Sequence, residues 1–150
     1  NGGILYKPYI VKSLNEPETN SVILENKSTI VRKVISEDTS NKVKYALESV
    51  VARGTGHNAY IGGYRVGGKT GTAQNPHGED HSIFMGFAPM DNPQIAIAVY
   101  VENGGFGATY GVPIGALMME QYLTGTLSEE SEKKVEYFAN RVIDYGEQTR

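Results

Sequence analysis

Lys69-Thr70 is followed within eight residues by Gly71, the pair Asn75-Pro76 and Gly78, a run of breakers that leaves no room for a helix. This matters because Gly63-Tyr64-Arg65-Val66-Gly67-Gly68-Lys69-Thr70 meets the spacing of a phosphate-binding loop letter for letter. Such a loop must follow a buried strand and open a helix, whose first N–H groups hold the phosphate. Here the preceding Gly54–Gly63 stretch carries four glycines and only isolated apolar residues. The alternative is that the lysine stands on a strand that runs into a turn.

The flanking segments suit that alternative. His81–Ala88 and Gln94–Glu102 read as strands, with Ile95, Ile97, Val99 and Val101 alternating along one face of the second. Pro89-Met90-Asp91-Asn92-Pro93 joins them tightly, as in an antiparallel meander. Upstream, Ser36 caps a helix over about 37–53, Glu37 and Asp38 suit its first turn, and Val43, Ala46, Leu47, Val50 and Val51 form its apolar stripe. Val112-Pro113 opens a second helix to about 123, and Ser128 a third over about 129–145, with Val135, Phe138, Val142 and Ile143 on one side. Residues 4–12 are expected to be extended, with short strands at Ser21–Leu24 and Ile30–Val34. The predicted fold class is α+β, an antiparallel three-stranded sheet (about 64–73, 81–88 and 94–102) packed with helices (about 37–53, 112–123 and 129–145). Three strands make a thin sheet with an open edge, which suggests strands missing from this chain.

Bulk properties exclude several classes. A net charge of −3 argues against nucleic acid, no stretch reaches the roughly 18 apolar residues of a membrane span, and the absence of Cys removes thiolate metal sites. His77, Glu79, Asp80 and His81 hold ligand types on a turn with no evident fourth ligand, so neither metal nor cofactor is expected. Tyr64, Tyr100 and Tyr110 read as packing residues.

On a strand, Lys69-Thr70-Gly71-Thr72 suits acyl transfer. The lysine offers a fixed positive charge to a peptide carboxylate, the threonine hydroxyls hydrogen-bond it, Gly71 lets the substrate backbone approach, and an N–H just beyond can donate to a tetrahedral oxyanion. The sequence resembles the C-terminal part of class B penicillin-binding proteins over about residues 4–124. The resemblance rests on Tyr6-Lys7-Pro8-Tyr9-Ile10-Val11, Val50-Val51-Ala52-Arg53-Gly54-Thr55-Gly56, Gly68–Gln74, His81–Pro89, Ile95–Phe106 and Pro113-Ile114-Gly115. Asn103-Gly104-Gly105-Phe106-Gly107 is similar to the elongation-type members, penicillin-binding protein 2. Residues 125–150 look like a variable helical tail.

The resemblance implies a peptidoglycan D,D-transpeptidase, inhibited by β-lactams, acting on stem peptides ending in D-Ala-D-Ala. Lys69, Thr70 and Thr72 would be its catalytic and substrate-binding residues, with Gly71 at the close-approach position. Thr72 would give its hydroxyl to the carboxylate and its N–H to the oxyanion. The resemblance further implies a cell-wall elongation machinery with a glycosyltransferase partner, and a periplasmic location on a membrane anchor outside this chain. The alternative is a non-catalytic β-lactam- or peptide-sensing domain of the same fold. The family's nucleophile is the serine of S-x-x-K, and a second motif is S-x-N. Ser131–Lys134 and Ser13–Asn15 match these spacings, but in the wrong chain order, and Ser131 is expected to lack burial and order. The nucleophile is therefore expected upstream, and this chain alone is expected to be inactive.

Overall fold

The computed structural model describes residues 1–143, arranged in two compact units, the first Asn1–Val43 and the second beginning at Lys44. The first unit holds two antiparallel pairs. Strand β1 (Ile4–Tyr6) pairs with β4 (Ile30–Lys33), and β2 (Ser13–Asn15) with β3 (Val22–Glu25). The expected extended run over 4–12 is thus a strand only at its start. The strand at 13–15 was not expected; Leu14 faces Leu24, and Asn26 anchors it by donating its N–H to the Lys12 carbonyl (2.8 Å) and its side-chain amide to that of Val11 (2.7 Å).

Helix α1 (Glu37–Arg53) runs across the division between the units. Ser36 caps it as expected, its Oγ accepting the Thr39 N–H at 3.1 Å. At its far end the Val50 carbonyl accepts both the Gly54 and Gly56 N–H groups, at 3.0 and 3.1 Å, and the chain turns sharply through Gly54-Thr55-Gly56.

In the second unit β5 (Gly67–Ala73), β6 (His81–Ala88) and β7 (Ile95–Val101) form an antiparallel sheet in that spatial order. β5 begins at Gly67 rather than Tyr64. Ile61 and Tyr64 bridge across Gly62-Gly63, and the Arg65 carbonyl accepts the Met90 N–H at 2.9 Å, so this stretch is committed elsewhere.

Helix α2 (Gly111–Thr124) covers one sheet face and ends at Gly125, which adopts φ +78°. The core between them centres on Phe84, which is fully buried with Val99, Val112 and Met119 around it. The Phe84 ring occupies the space that side chains would need at Gly68 and Gly86 on the sheet and Gly115 on the helix. A Cβ at any of the three would come within 2.6–2.7 Å of the ring. Three missing side chains, from β5, β6 and α2, make room for one ring, so helix and sheet approach closely.

Helix α3 (Glu129–Ala139) is shorter than the expected 129–145. The Asn140 side chain donates to the Glu136 carbonyl at 2.8 Å and closes the last turn, so Val142 and Ile143 fall beyond the helix; Tyr145 lies outside the described residues. Its start is pinned to α2, where the Glu120 carboxylate accepts the Ser128 N–H at 2.9 Å and the Ser131 hydroxyl. Just past its end, Arg141 lies over the rings of Tyr110 and Tyr137, at 5.9 and 5.4 Å, and its Nε donates to the Tyr110 hydroxyl at 3.2 Å.

Candidate active site

The sheet places the four candidate residues on β5, at the edge away from β6. Pairing opposes Lys69 to Met85, Thr70 to Phe84, Gly71 to Ile83 and Thr72 to Ser82. Side chains alternate between faces along a strand, so Lys69 and Gly71 share the face opposite α2, with Met85, Ala98 and Tyr100. Thr70 and Thr72 belong to the other set. On the lysine face an open hollow of about 420 Å³ is lined mainly by Leu47, Lys69, Met85, Phe87, Ala96 and Ala98.

Lys69 Nζ donates to the Thr70 carbonyl at 2.5 Å and lies 3.5 Å from Thr70 Oγ1. Among the described residues no carboxylate pairs with it. Its charge therefore stands at the strand edge without a counter-ion among the described residues. In an antiparallel pair alternate residues turn their N–H and C=O toward the partner or away. The Thr70 carbonyl, engaged by the ammonium, belongs to the outward set, and period two puts the Thr72 N–H in the same direction.

The Thr72 hydroxyl accepts the Gly107 N–H at 3.4 Å, which leaves its own proton free to donate. Gly107 belongs to a loop pressed against the sheet. A Cβ there would sit 2.5 Å from the carbonyl oxygens of Gly71 and Ile83, so only glycine lets the loop come this close. Beneath it, the buried Ser82 donates to the Phe106 carbonyl at 2.8 Å and accepts the Gly111 N–H at 3.0 Å. His81 Nδ1 accepts the Asn103 N–H at 3.0 Å, and the Asn103 side chain accepts from Asn75 Nδ2 at 2.6 Å. Asp80 completes the stitching, taking the Asn75 N–H on its carboxylate (3.1 Å) and the Gly105 N–H on its carbonyl (2.7 Å). These contacts fix the loop after β7 to the turn after β5.

Four residues of this region were given no part in the site by the sequence. Thr55, whose Oγ1 lies 2.9 Å from Thr70 Oγ1, arrives from the end of α1. Ser82, Asp80 and Asn103 carry the loop, and only Asn103 had a signal, the adjoining Gly104-Gly105. Its φ of +53° is a backbone conformation asparagine tolerates better than most residues. Tyr100, expected to pack, is 55% exposed and lies beside His81, with ring centroids 5.2 Å apart.

The formal S-x-x-K match needs one correction. Ser131 is buried and ordered within the first turn of α3, contrary to expectation. Its hydroxyl is committed to Glu120, and Lys134 pairs with Glu130 at 2.8 Å, so the pair fastens a helix. Burial pushes the Glu120 carboxyl up, but the Ser131 and Ser128 hydrogen bonds outweigh it and hold the group below its ordinary range. Ser13-Leu14-Asn15 forms an exposed strand of the first unit. The phosphate-loop reading fails on geometry, because Lys69-Thr70 lies within a strand.

Stage V sporulation protein D of Bacillus subtilis is 46% identical over 133 residues, covering 82% of this chain and 21% of that protein. Peptidoglycan D,D-transpeptidase PbpA of Mycobacterium tuberculosis is 35% identical over 142 residues, covering 83% and 27%. The solved imipenem acyl-enzyme complex of penicillin-binding protein A from M. tuberculosis superposes with a TM-score of 0.72 at 31% identity, covering 83% of this chain and 28% of that one. The chain thus spans between a fifth and a third of these relatives' lengths. The model of the penicillin binding protein transpeptidase domain matches residues 1–120, and the chain belongs to that family.

Proposed function

We propose that the protein containing this chain is a peptidoglycan D,D-transpeptidase, and that this chain supplies the lysine-strand half of its site. The observation that carries the reading is Lys69 at the free edge of β5, with no carboxylate partner among the described residues, beside outward-turned Thr70 and Thr72 backbone groups. An extended peptide ending in a carboxylate suits that edge. The ammonium and the Thr70 and Thr72 hydroxyls bind the carboxylate, Gly71 admits the peptide backbone, and the Thr72 N–H donates to the oxyanion. A serine from residues outside this chain attacks the carbonyl carbon of the D-Ala-D-Ala amide. The C–N bond breaks, D-Ala leaves carrying a proton on its amine, and a serine ester remains. An amine of a neighbouring stem peptide attacks that ester, forms the new peptide bond and returns the serine hydroxyl. The relatives' names and the solved acyl-enzyme complex of the neighbour support this chemistry. On this reading the chain alone is inactive, and the intact protein works at the periplasmic face of the membrane with a glycosyltransferase partner.

The test is the mass of the intact extracytoplasmic protein before and after benzylpenicillin, alongside its Lys69→Ala variant and this chain alone. One intact benzylpenicillin should add to the parent, at least tenfold more slowly to the variant, as expected from loss of a hydrogen-bonded charge, and not at all to the chain. A folded parent that binds benzylpenicillin without a covalent adduct would leave the sensing-domain reading in its place.

A further inference from the structure

We propose that Thr55 is a positioning residue of this site, setting the direction in which Thr70 donates its hydroxyl proton. The assignment rests on the transpeptidase reading and adds to it a residue from a different element. Two amides, those of Gly54 and Gly56, close on the single Val50 carbonyl and hold Thr55 at the tip of the turn. Gly56 is buried against Val50, where a Cβ would lie 3.2 Å from Val50 Cγ1, so the turn is packed and the hydroxyl is delivered from a fixed base. From there Thr55 Oγ1 reaches Thr70 Oγ1 at 2.9 Å across fifteen residues of chain.

A hydroxyl has one proton and two acceptor positions. Thr70 Oγ1 has two neighbours, the Thr55 hydroxyl and, at 3.5 Å, the Lys69 ammonium. The ammonium can only donate. If Thr55 donates as well, both acceptor positions of Thr70 are filled and its proton is left pointing outward, the arrangement an arriving carboxylate requires. If Thr70 spent its proton on Thr55 instead, the anion would meet a lone pair. An anion at the strand edge therefore selects the first arrangement, and Thr55 maintains it without touching the ligand.

The prediction is read as a ratio. The second-order acylation rate of the intact protein is measured with benzylpenicillin, which carries a free carboxylate, and with its methyl ester, which does not. Thr55→Val and Thr55→Ala should each lower the acid-to-ester ratio by about tenfold, the scale of one hydrogen bond serving a charged group. Thr55→Ser should restore it, and thermal midpoints should stay close to the parent's because Thr55 is exposed. Equal slowing of acid and ester would assign Thr55 a packing role and overturn the proposal, as would an unchanged ratio in both hydroxyl-free variants. No adduct on the folded parent would overturn the transpeptidase reading itself. An adduct on the parent with unchanged ratios overturns the role of Thr55 alone.

Discussion

Gly67, Gly68 and Gly71 lie within five residues of one another and carry different burdens. A Cβ on Gly68 would meet the Phe84 ring at 2.6 Å, and one on Gly67 would meet Met90 Sδ at 2.7 Å and the Phe87 ring at 2.8 Å. At Gly71 the nearest atom is Ile83 Cβ at 3.3 Å, a contact that slight adjustment accommodates. Gly68→Ala should therefore destabilise the intact protein by about 1–3 kcal/mol through overpacking. Gly71→Ala should cost well under that and instead slow acylation, because its methyl group projects where the peptide must lie. Urea midpoints with acylation rates separate the two, and equal stability losses would refute the division of labour. That Lys69, Thr70 and Thr72 stand on a strand was legible in the sequence, because the breakers that follow them leave no room for a helix. The reason for Gly68 was not, because its partner lies sixteen residues on and is supplied by sheet register. Thr55 was hidden for the same reason, since nothing in its neighbourhood predicts that the end of α1 meets β5.

Among the elements, the three strands of the main sheet and helices α1 and α2 were readable to within a few residues, because period-two and 3/4 patterns report burial directly. Helix α3 was overextended because its stripe continues through Val142 and Ile143, while the stop signal is a side-chain bond from Asn140 that no periodicity shows. What holds α3 is polar and aromatic, Glu120 at its start and the Arg141–Tyr110 contact past its end. Glu120→Ala should remove both bonds at the start and lower stability by about 1 kcal/mol, with acylation by benzylpenicillin unchanged. Hydrogen exchange across residues 128–139 should rise in that variant. Unaltered exchange would mean that the tail is held elsewhere.

In the molecule as a whole, apolar side chains stand open in each unit, among them Ile10, Val22 and Ile23 in the first and Met85, Tyr100 and Phe106 in the second. The second unit has its own acid-sensitive clamp. Arg65 holds Glu48 with two hydrogen bonds, of 2.6 and 2.8 Å, and Asp91 with one of 2.7 Å. The Arg65 hydrogen bond keeps the Glu48 carboxyl below its ordinary value of 4.5, against a smaller opposing effect of burial. A carboxyl depressed by folding contributes its full stability above the unfolded value and loses it as pH falls through the lower folded one. The urea midpoint of the intact protein should thus fall below about pH 4.5, and Glu48→Gln should show a shallower fall. Parallel curves would show that the clamp contributes nothing.

Phe84 has a consequence for how such a site changes over generations. Gly68 rests on its ring, and Lys69 is the next residue. The strand that carries the ammonium is thus backed from underneath by one aromatic ring and the helix that presses on it. Trading volume between positions 84 and 115 would shift the backbone beneath Lys69 while Lys69, Thr70, Gly71 and Thr72 stay the same. Drift in the core and tuning of the surface are, at this one point, the same event.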